Sequence, residues 1–439
     1  MIEKFQKDEY PGEPKILFIG LAESTHTHAW IELLTDSNFN VRLFGLPSGY
    51  PSHDFPIRTY NTYPFKKVNS DYCKNLYQGK LRRTFYYLNR LVSVRLVNRS
   101  MFWRLLKWFW KSIFELINSA FNFFGIESPF LTPEIWLKNI IIRWEPDIIH
   151  TLGLYDSQGG MFYYNVRKKY KLENYGKWIL QLRGGSDLTL RRHDSNYQDE
   201  IYNVLQDCYQ IISDNIINIK YAKELGVPSE KFASIVPVPG TGGLDVKKLN
   251  ASSILPSKRQ RIILWPKAYE SVWSKAIPVL ESIRKAWGSL NLFKFYFLAM
   301  TSEVFTSYLG LPEEIKKNCI VFKNRIPRQE VLDLMKEARV VLIPSLIDGI
   351  PNSLYESMAC GAFPIVSPLE TIKTVVKERE NVLFARNLYP DELATALILA
   401  MSDDSLVDNA VIENNKLVKQ IADRKTIRSK VIEYYYSIL

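Results

Sequence analysis

Two carboxylates, Asp348 and Glu356, flank a short segment that contains glycine and proline. Within it, Asn352 and Ser353 are residue types that favour the start of a helix. The unpaired amide N–H groups at a helix start favour a phosphate or a polyol. We therefore predict that this segment binds a ligand of that chemistry, with one acid on either side of it.

A strand, a turn and a helix must place these residues. Residues 340–343 are an apolar run that indicates a buried parallel strand, and Gly349 and Pro351 indicate a turn after it. Residues 352–359 are compatible with a helix that Gly361 ends. Such an arrangement directs the helix start out of the carboxyl edge of the sheet.

An ordinary structural interpretation of the two acids is also open. Glu356 can be a first-turn acid stabilised by the helix dipole, and Asp348 can be a turn residue. The length of the surrounding pattern favours the binding-site interpretation.

Residues 345–361, SLIDGIPNSLYESMACG, resemble the donor-binding signature of retaining glycosyltransferases of the GT-B type, glycosyl transferase group one (family 4-like). That signature has two acids separated by seven residues, in a pattern like E-G-x-P-N-S-L-x-E-A-M-A-C-G. The resemblance implies that Asp348 contacts the hydroxyls of the donor sugar and that Glu356 holds the ribose hydroxyls. The implied donor-binding residues between them are Gly349, Ile350, Pro351, Asn352, Ser353 and Leu354.

The chain of 439 residues exceeds one typical core, so we expect two domains. Residues 15–45 read as a β–α–β unit, and further apolar runs predict strands at 146–151, 178–183, 210–214, 261–265, 293–298, 319–322, 340–343 and 363–366. With the resemblance, this predicts an α/β fold of GT-B architecture, with two Rossmann-like doubly wound domains facing a cleft. The predicted parts are an acceptor domain at 1–243, a donor domain at 244–410, and C-terminal helices at 411–439 that cross back to the first domain.

The resemblance also implies positive charge beside the donor's diphosphate, after the first strand of the second domain. Lys267 and Lys275 stand there, and we predict that they act with Asp348 and Glu356 in catalysis. Both lysines could instead be solvated surface residues.

Six residues of the first domain are predicted to line the acceptor side of the cleft. They are Ser24, His26 and His28 after the first strand, His150 in a later strand, and Arg183 and Asp187 in the sequence QLRGGSD. The alternatives are a helix cap for the first group, a core position for His150 and a structural ion pair for Arg183.

The chain has a net charge of +11, and its charged residues are unevenly distributed along the sequence. Residues 72–114 contain ten basic residues and no acid, with tryptophan and phenylalanine among them. We predict that this stretch belongs to an insertion at about 72–125 and that residues 94–117 form a basic amphipathic helix on an anionic membrane. A core-packing helix with a basic face is the alternative, and nucleic acid is not expected as a partner because no known nucleic-acid module is visible.

Four scattered cysteines argue for a reducing compartment and against a disulfide framework or a zinc site. The charged N-terminus predicts no secretion signal, and no apolar run is long enough to span a bilayer. We expect a cytoplasmic protein associated peripherally with the inner face of the cell membrane.

The sequence thus predicts a retaining glycosyltransferase, a hexosyltransferase in type. It would move a sugar from a nucleotide-diphosphate sugar to a hydroxyl of a glycan or a lipid-linked acceptor, in cell-envelope polysaccharide synthesis. No residue suggests a dedicated nucleophile, which agrees with the front-face departure of the nucleotide diphosphate that the family implies. We expect no cofactor and no metal. The alternative is a catalytically silent GT-B scaffold protein of a membrane-associated assembly.

Overall fold

A computed structural model describes residues 12–51, 55–64, 71–78, 80–84, 86–87, 112, 116, 131–155, 159–185, 187–250, 254–290 and 292–439. These residues form two compact units. The first holds the described residues up to Gln181 together with Asn203–Ile211 and Leu439, and the second holds Leu182–Tyr202 and Ile212–Ile438. Nearly all of the predicted basic helix at 94–117, and most of the insertion at 72–125, lie outside the described residues.

The predicted domain boundaries after residues 243 and 410 stay predictions. Leu182–Tyr202 and the residues from Ile212 onward group with the second unit. In the C-terminal segment 411–439, Val418 and Ala422 lie in the core of the second unit. The packing of that segment on the first domain stays a prediction.

The first sheet has seven strands in the order β4-β3-β2-β1-β5-β6-β7. Neighbouring strands from β4 through β6 pair in parallel. Strand β1 is central and separates β2 from β5, so the direction of winding reverses at β1. The strands are β1 (Lys15–Gly20), β2 (Asn40–Gly45), β3 (Arg58–Asn61), β4 (Cys73–Asn75), β5 (Ile148–Thr151), β6 (Lys177–Leu182) and β7 (Gln210–Ser213).

The second sheet has six strands in the order β10-β9-β8-β11-β12-β13, and all neighbours pair in parallel. Winding reverses between β8 and β11, and the carboxyl ends of strands at such a switch point are where ligands bind in open α/β sheets. The strands are β8 (Ile262–Trp265), β9 (Lys294–Phe297), β10 (Cys319–Val321), β11 (Val340–Ile343), β12 (Phe363–Val366) and β13 (Leu383–Phe384).

Helices connect these strands. The α-helices are Thr25–Ile31, Pro133–Trp144, Gly160–Tyr170, Leu188–Arg191, Gln198–Asp207, Ile216–Glu224, Val246–Asn250, Ile277–Leu290, Ser302–Leu309, Glu313–Lys316, Arg328–Glu337, Asn352–Ala359, Glu370–Lys373, Pro390–Ser402, Asp404–Ala422 and Arg424–Ser437. Short 3₁₀ helices lie at Glu32–Leu34, Ser195–Tyr197, Ser229–Lys231 and Pro256–Lys258.

The continuous apolar runs of the second sheet are explained by cores on both of its faces. Val340 and Leu342 of β11 join one core with the helices Ile277–Leu290 and Pro390–Ser402. Val341 and Ile343 join the other, with the helices Arg328–Glu337 and Asn352–Ala359. Successive strand residues point to opposite faces, so a strand buried on both faces must be apolar throughout.

The helix Asn352–Ala359 is fixed to the sheet by its apolar side. Leu354 and Met358, one turn apart, are fully buried in the core beneath β11. Gly361, with φ of 70°, follows the helix and reverses the chain into β12. The start of the helix is therefore held in place after the turn that leaves β11.

Arg259 joins the carboxyl ends of two neighbouring helices. Its guanidinium donates to the carbonyls of Met335 and Ala338 at 3.2 and 3.1 Å, and to the carbonyl of Cys360 at 2.8 Å. These are the last carbonyls of Arg328–Glu337 and Asn352–Ala359, where a positive charge also offsets the helix dipole. Both helices are thus tied together at their carboxyl ends.

No helix among the described residues is long and apolar enough to cross a membrane.

Candidate active site

The turn after β11 is built around the peptide group that joins Asp348 to Gly349. The Gly349 N–H donates to the Asp348 carboxylate at 2.8 Å, which fixes the direction of that carboxylate. The Thr371 hydroxyl lies 3.0 Å from the carbonyl oxygens of both Asp348 and Gly349, and its single proton is shared between them. We call residues 348–350 the donor turn. Its first residue, Asp348, is half-buried.

Gly349 packs directly on the backbone of Gly184. A Cβ atom added to Gly349 would lie 2.6 Å from the Cα of Gly184, and one added to Gly184 would lie 2.4 Å from the Cα and N of Gly349. No side chain fits at either position. The two glycines bring the QLRGGSD segment, which the sequence analysis assigned to the acceptor side, into contact with the donor turn.

Asp214, at the end of β7, supports this contact. Its carboxylate accepts from the Gly184 N–H at 2.9 Å and from the Asn215 side-chain amide at 2.6 Å. Burial, beside the carboxylates of Asp187 and Asp348, raises the pKa of Asp214 to about 7. Asp214 therefore holds a proton far more readily than an ordinary aspartate.

Arg183 and Asp187 lie in the same group of charges. The backbone N–H of Arg183 donates to the buried carboxylate of Asp187 at 2.8 Å. Burial lowers the pKa of Arg183 to about 10, against the opposing effect of Asp187 and Asp214. Arg183 remains a cation at neutral pH and offsets part of the negative charge of the carboxylates.

Lys267 follows β8 on the other side of the switch point. Burial raises the pKa of Asp348, and the exposed Lys267 ammonium opposes that shift by its charge. Lys275 is placed differently, because its ammonium pairs with Glu270 at 2.7 Å. Of the two predicted lysines, Lys267 is the one whose charge acts on Asp348.

Glu356 projects from the helix Asn352–Ala359 toward Arg328. The Arg328 guanidinium donates twice to one oxygen of the Glu356 carboxylate, at 3.0 and 2.8 Å. Arg328 is the more exposed partner, with 58% of its side chain accessible against 13% for Glu356. The carboxylate is held in one direction, with its second oxygen outside this pair.

The start of this helix differs in detail from the capping pattern expected. Pro351 occupies the cap position, no side chain caps the helix, and Asn352 is its first residue. The Asn352 side-chain oxygen accepts from the Thr241 hydroxyl at 3.2 Å. Ser353 is buried, and its hydroxyl has no hydrogen-bond partner within the described part of the chain.

The predicted acceptor residues after β1 and in β5 lie in the first unit. Ser24 precedes the helix Thr25–Ile31, and His26 is exposed within it. The His28 ring is buried, lies 2.6 Å from the Ala22 carbonyl through Nε2 and stacks on Phe55, and burial lowers its pKa. The fully buried His150 ring lies near the rings of Phe18 and Trp30.

The structure thus brings together Arg183, Asp187, Lys267, Asp348 and Gly349 within the second unit. The sequence analysis missed Asp214, Arg328 and Thr371. Asp214 had a usable signal, because it is the last residue of the predicted strand 210–214, at the edge where ligands bind. Arg328 and Thr371 had none, because their contacts with Glu356 and the donor turn depend on tertiary packing.

Among the residues that the structure describes, no group of three or more histidines, cysteines or acids could hold a metal ion.

Comparison with protein families finds a match in the second half of the chain. Residues 308–418 match the model for glycosyl transferases group 1. The matched segment contains Asp348, Gly349, Glu356 and Thr371, and so includes the whole donor turn. Lys267, Arg183 and Asp214 lie outside it.

A curated relative is the N,N'-diacetylbacillosaminyl-diphospho-undecaprenol alpha-1,3-N-acetylgalactosaminyltransferase of Campylobacter jejuni. It is 21% identical over 207 residues, which cover 45% of this chain and 52% of that protein. The chain spans about half the length of the curated relative it matches.

Solved structures resemble the chain over nearly its whole length. The sucrose-phosphate synthase of Thermosynechococcus elongatus superposes with a TM-score of 0.63 at 13% identity, covering 97% of this chain and 99% of that one. A glycosyltransferase of Rickettsia africae gives 0.60 at 12% identity, with 98% and 99% covered. Anabaena Alr3699/HepE, in complex with UDP and glucose, gives 0.60 at 13% identity, with 97% and 100% covered.

At these identities the solved structures show the fold alone. The predicted GT-B fold of two parallel α/β sheets is confirmed. The predicted resemblance to group one glycosyltransferases is confirmed as well, by the family match over 308–418 together with the curated relative.

The contact between the two glycines predicts that Gly349→Ala destabilises the second unit. The added methyl must displace the Gly184 backbone, and overpacking of this kind costs about 1–3 kcal/mol. Thermal unfolding should show a lowered Tm. Gly240→Ala is the matched control, since its Cβ would lie 3.9 Å from the nearest atoms, including those of Asp214. Equal Tm values for the two variants would contradict the contact.

The raised pKa of Asp214 predicts a pH-dependent stability. Between about pH 4 and pH 7 the folded protein keeps a proton that the unfolded chain has lost, so this group's contribution to the free energy of unfolding falls as pH rises. Asp214→Asn removes the titration, and the variant should gain stability relative to wild type across this window. Urea unfolding at several pH values measures the difference, and the exposed Asp199→Asn should show no such trend. A difference that does not change with pH would refute the assignment.

Proposed function

We propose that this chain, a group one glycosyltransferase by its match over 308–418 and by its GT-B fold, is a retaining hexosyltransferase that uses a nucleotide-diphosphate sugar. The observation that carries the proposal is the placement of two acids around one helix start at the switch point of the second sheet. Asp348 lies in the turn before the helix Asn352–Ala359, and Glu356 projects from its second turn. The acids suit hydroxyl groups and the helix start suits phosphate.

The donor sugar would be held by the Asp348 carboxylate. The Gly349 N–H already occupies one of its oxygens, so the other can accept from a sugar hydroxyl. Glu356 would accept from the ribose hydroxyls through the oxygen that Arg328 does not bind. Both carboxylates are oriented before the ligand arrives, which lowers the cost of ordering them on binding.

Lys267 would stabilise the departing nucleotide diphosphate. Negative charge grows on the diphosphate as its bond to the sugar breaks, and a nearby cation lowers the energy of that state. Lys267 is exposed and its charge already acts on Asp348. Lys275 would contribute less in the free protein, because Glu270 neutralises it.

Transfer with retention would proceed on one face of the sugar. The bond from the anomeric carbon to the diphosphate oxygen breaks, and the acceptor oxygen bonds to the same face of that carbon. The acceptor's proton passes to the departing diphosphate. This route needs no protein nucleophile, and we propose that it needs no metal ion and no cofactor.

The acceptor would be a glycan or a lipid-linked sugar at the inner face of the cell membrane, in the synthesis of cell-envelope polysaccharide. The Campylobacter relative is named for transfer to a diphospho-undecaprenol-linked sugar, which supports a lipid-linked acceptor. The basic aromatic stretch 94–117 would hold the enzyme on the anionic surface. The predicted acceptor residues are Ser24, His26, His28, His150, Arg183 and Asp187.

Removal of the Glu356 carboxylate is expected to weaken donor binding at least tenfold. In a thermal-shift panel of UDP-, GDP-, ADP- and CMP-sugars, a donor at 100 times its Kd stabilises wild type by about 2.7 kcal/mol. Glu356→Ala should reduce this shift and slow nucleotide-sugar hydrolysis at least tenfold, since a hydrogen bond to a charged group contributes about 1.5–3 kcal/mol.

Glu330→Ala, an exposed acid on the same helix as Arg328, is the control and should behave as wild type. Negligible hydrolysis in wild type and in both variants, with no shift from any donor, would favour the silent scaffold.

The membrane proposal predicts salt-sensitive flotation. With vesicles of phosphatidylglycerol and phosphatidylcholine the protein should float at about 0.1 M salt and dissociate at about 0.5 M, because screening weakens attraction between charges. Replacement of Arg104, Lys107 and Lys111 by glutamine should abolish flotation. The same replacement at the exposed Lys294, Lys317 and Lys419 should not. Equal loss in both triple variants would overturn the assignment to 94–117.

A further inference from the structure

We propose that Thr371 is a positioning residue for the donor turn, a role that rests on the proposed function of that turn. Thr371 is buried at the start of the short helix Glu370–Lys373, after β12. Its hydroxyl lies 3.0 Å from the carbonyl oxygens of both Asp348 and Gly349. Thr371 contacts the backbone of the turn, whereas Asp348 and Glu356 would bind the donor.

The geometry of the peptide group explains how one hydroxyl can direct a carboxylate. In a trans peptide the C=O and N–H point in opposite directions within one plane. The carbonyl of Asp348 points to Thr371, and the N–H of Gly349 in the same plane donates to the Asp348 carboxylate at 2.8 Å. Thr371 and the carboxylate therefore hold one peptide plane from opposite sides.

The next peptide group shares the same hydroxyl proton. The carbonyl of Gly349 also points to the Thr371 hydroxyl, so the N–H of Ile350 must point away from it. Two successive peptide planes of the donor turn thus take their orientation from one side chain. If that hydroxyl is lost, both peptide planes lose the hydrogen bond that orients their carbonyls. The Asp348 carboxylate, which accepts from one of these planes, is then less well oriented.

The opposite side of the turn cannot provide the same control. Gly184 packs against Gly349 with no room for a Cβ atom, and the Asp214 carboxylate lies 3.1 Å from the position of a Gly349 Cβ. These contacts are steric, and they block movement in one direction only. Directional hydrogen bonds to the turn's carbonyls come from Thr371.

The helix that carries Thr371 is itself anchored. Glu370 forms an ion pair with Arg192, whose side chain is almost fully buried. Arg192 directly follows the helix Leu188–Arg191, in the same segment as Gly184. The positions of the Thr371 hydroxyl and of Gly184 therefore both depend on one segment, Leu182–Tyr202. The two residues contact the donor turn from two directions.

Thr371→Val tests the role, because it replaces only the hydroxyl by a methyl group of similar size. We expect kcat/KM for the nucleotide sugar to fall about tenfold or more, since small misplacement of a reacting group has a large effect on rate. Thr371→Ser keeps a hydroxyl and should restore most of the loss. Thr374→Val removes a hydroxyl that bonds the Thr371 carbonyl at 2.6 Å and does not contact the turn, so it is the matched control.

Hydrogen exchange in the ligand-free protein gives a second measurement that needs no activity. Peptides covering 345–354 should exchange on the order of tenfold faster in Thr371→Val than in wild type. Thr371→Ser and Thr374→Val should stay close to wild type. A merely structural role would lower Tm alike in both valine variants and would leave local exchange at the turn unchanged.

The possible results separate this proposal from the proposed function. If wild type transfers or hydrolyses no nucleotide sugar while exchange at 345–354 rises only in Thr371→Val, the function fails and the positioning of the turn stands. If wild type is active but Thr371→Val matches Thr374→Val in kcat/KM and in exchange, Thr371 has no positioning role. Failure of Thr371→Ser to restore either measurement would also overturn it.

Discussion

Gly184 and Gly349 approach so closely that neither position has room for a Cβ atom, and the donor turn depends on this contact. The contact brings together four residues of the second unit: Arg183, Gly184, Asp214 and Gly349. Arg183 and Gly184 follow β6, Asp214 follows β7, and Gly349 follows β11. Side chains at any of these glycines would separate the charged groups that meet here. The charged groups of the site can therefore lie close together only because the backbones of Gly184 and Gly349 are in direct contact.

That character is a balance of buried carboxylates and cations. Asp187, Asp214 and Asp348 lie close enough for their charges to interact, and burial makes each negative charge costly. Arg183 and Lys267 offset part of that charge. A ligand with an anionic diphosphate would enter near acids, so it must be met by the amides of the helix start and by Lys267. The proposed donor, which carries both hydroxyls and phosphate, would meet both kinds of group.

The sequence predicted most of the sheets and the segment around Asp348 and Glu356. Parallel strands buried on both faces leave continuous apolar runs, such as 340–343, and glycine marks the turn and the helix end. Strands β3, β4 and β13 were missed, because β3 and β4 have no such run and β13 is only two residues long. The contributions of Asp214 and Thr371 could not be predicted, since each acts on a turn that is distant in sequence. His28 and His150 show the same limit, because their types suggested chemistry and only the packing reveals that they are buried.

Arg259 has a consequence for how the second unit can move. Because its guanidinium ties the last carbonyls of the helices Arg328–Glu337 and Asn352–Ala359, the two helices cannot splay apart at that end. Arg328, at the start of the first helix, forms its ion pair with Glu356, midway along the second. The helices are therefore linked at two separate points, and any movement of this part of the second unit would carry them together.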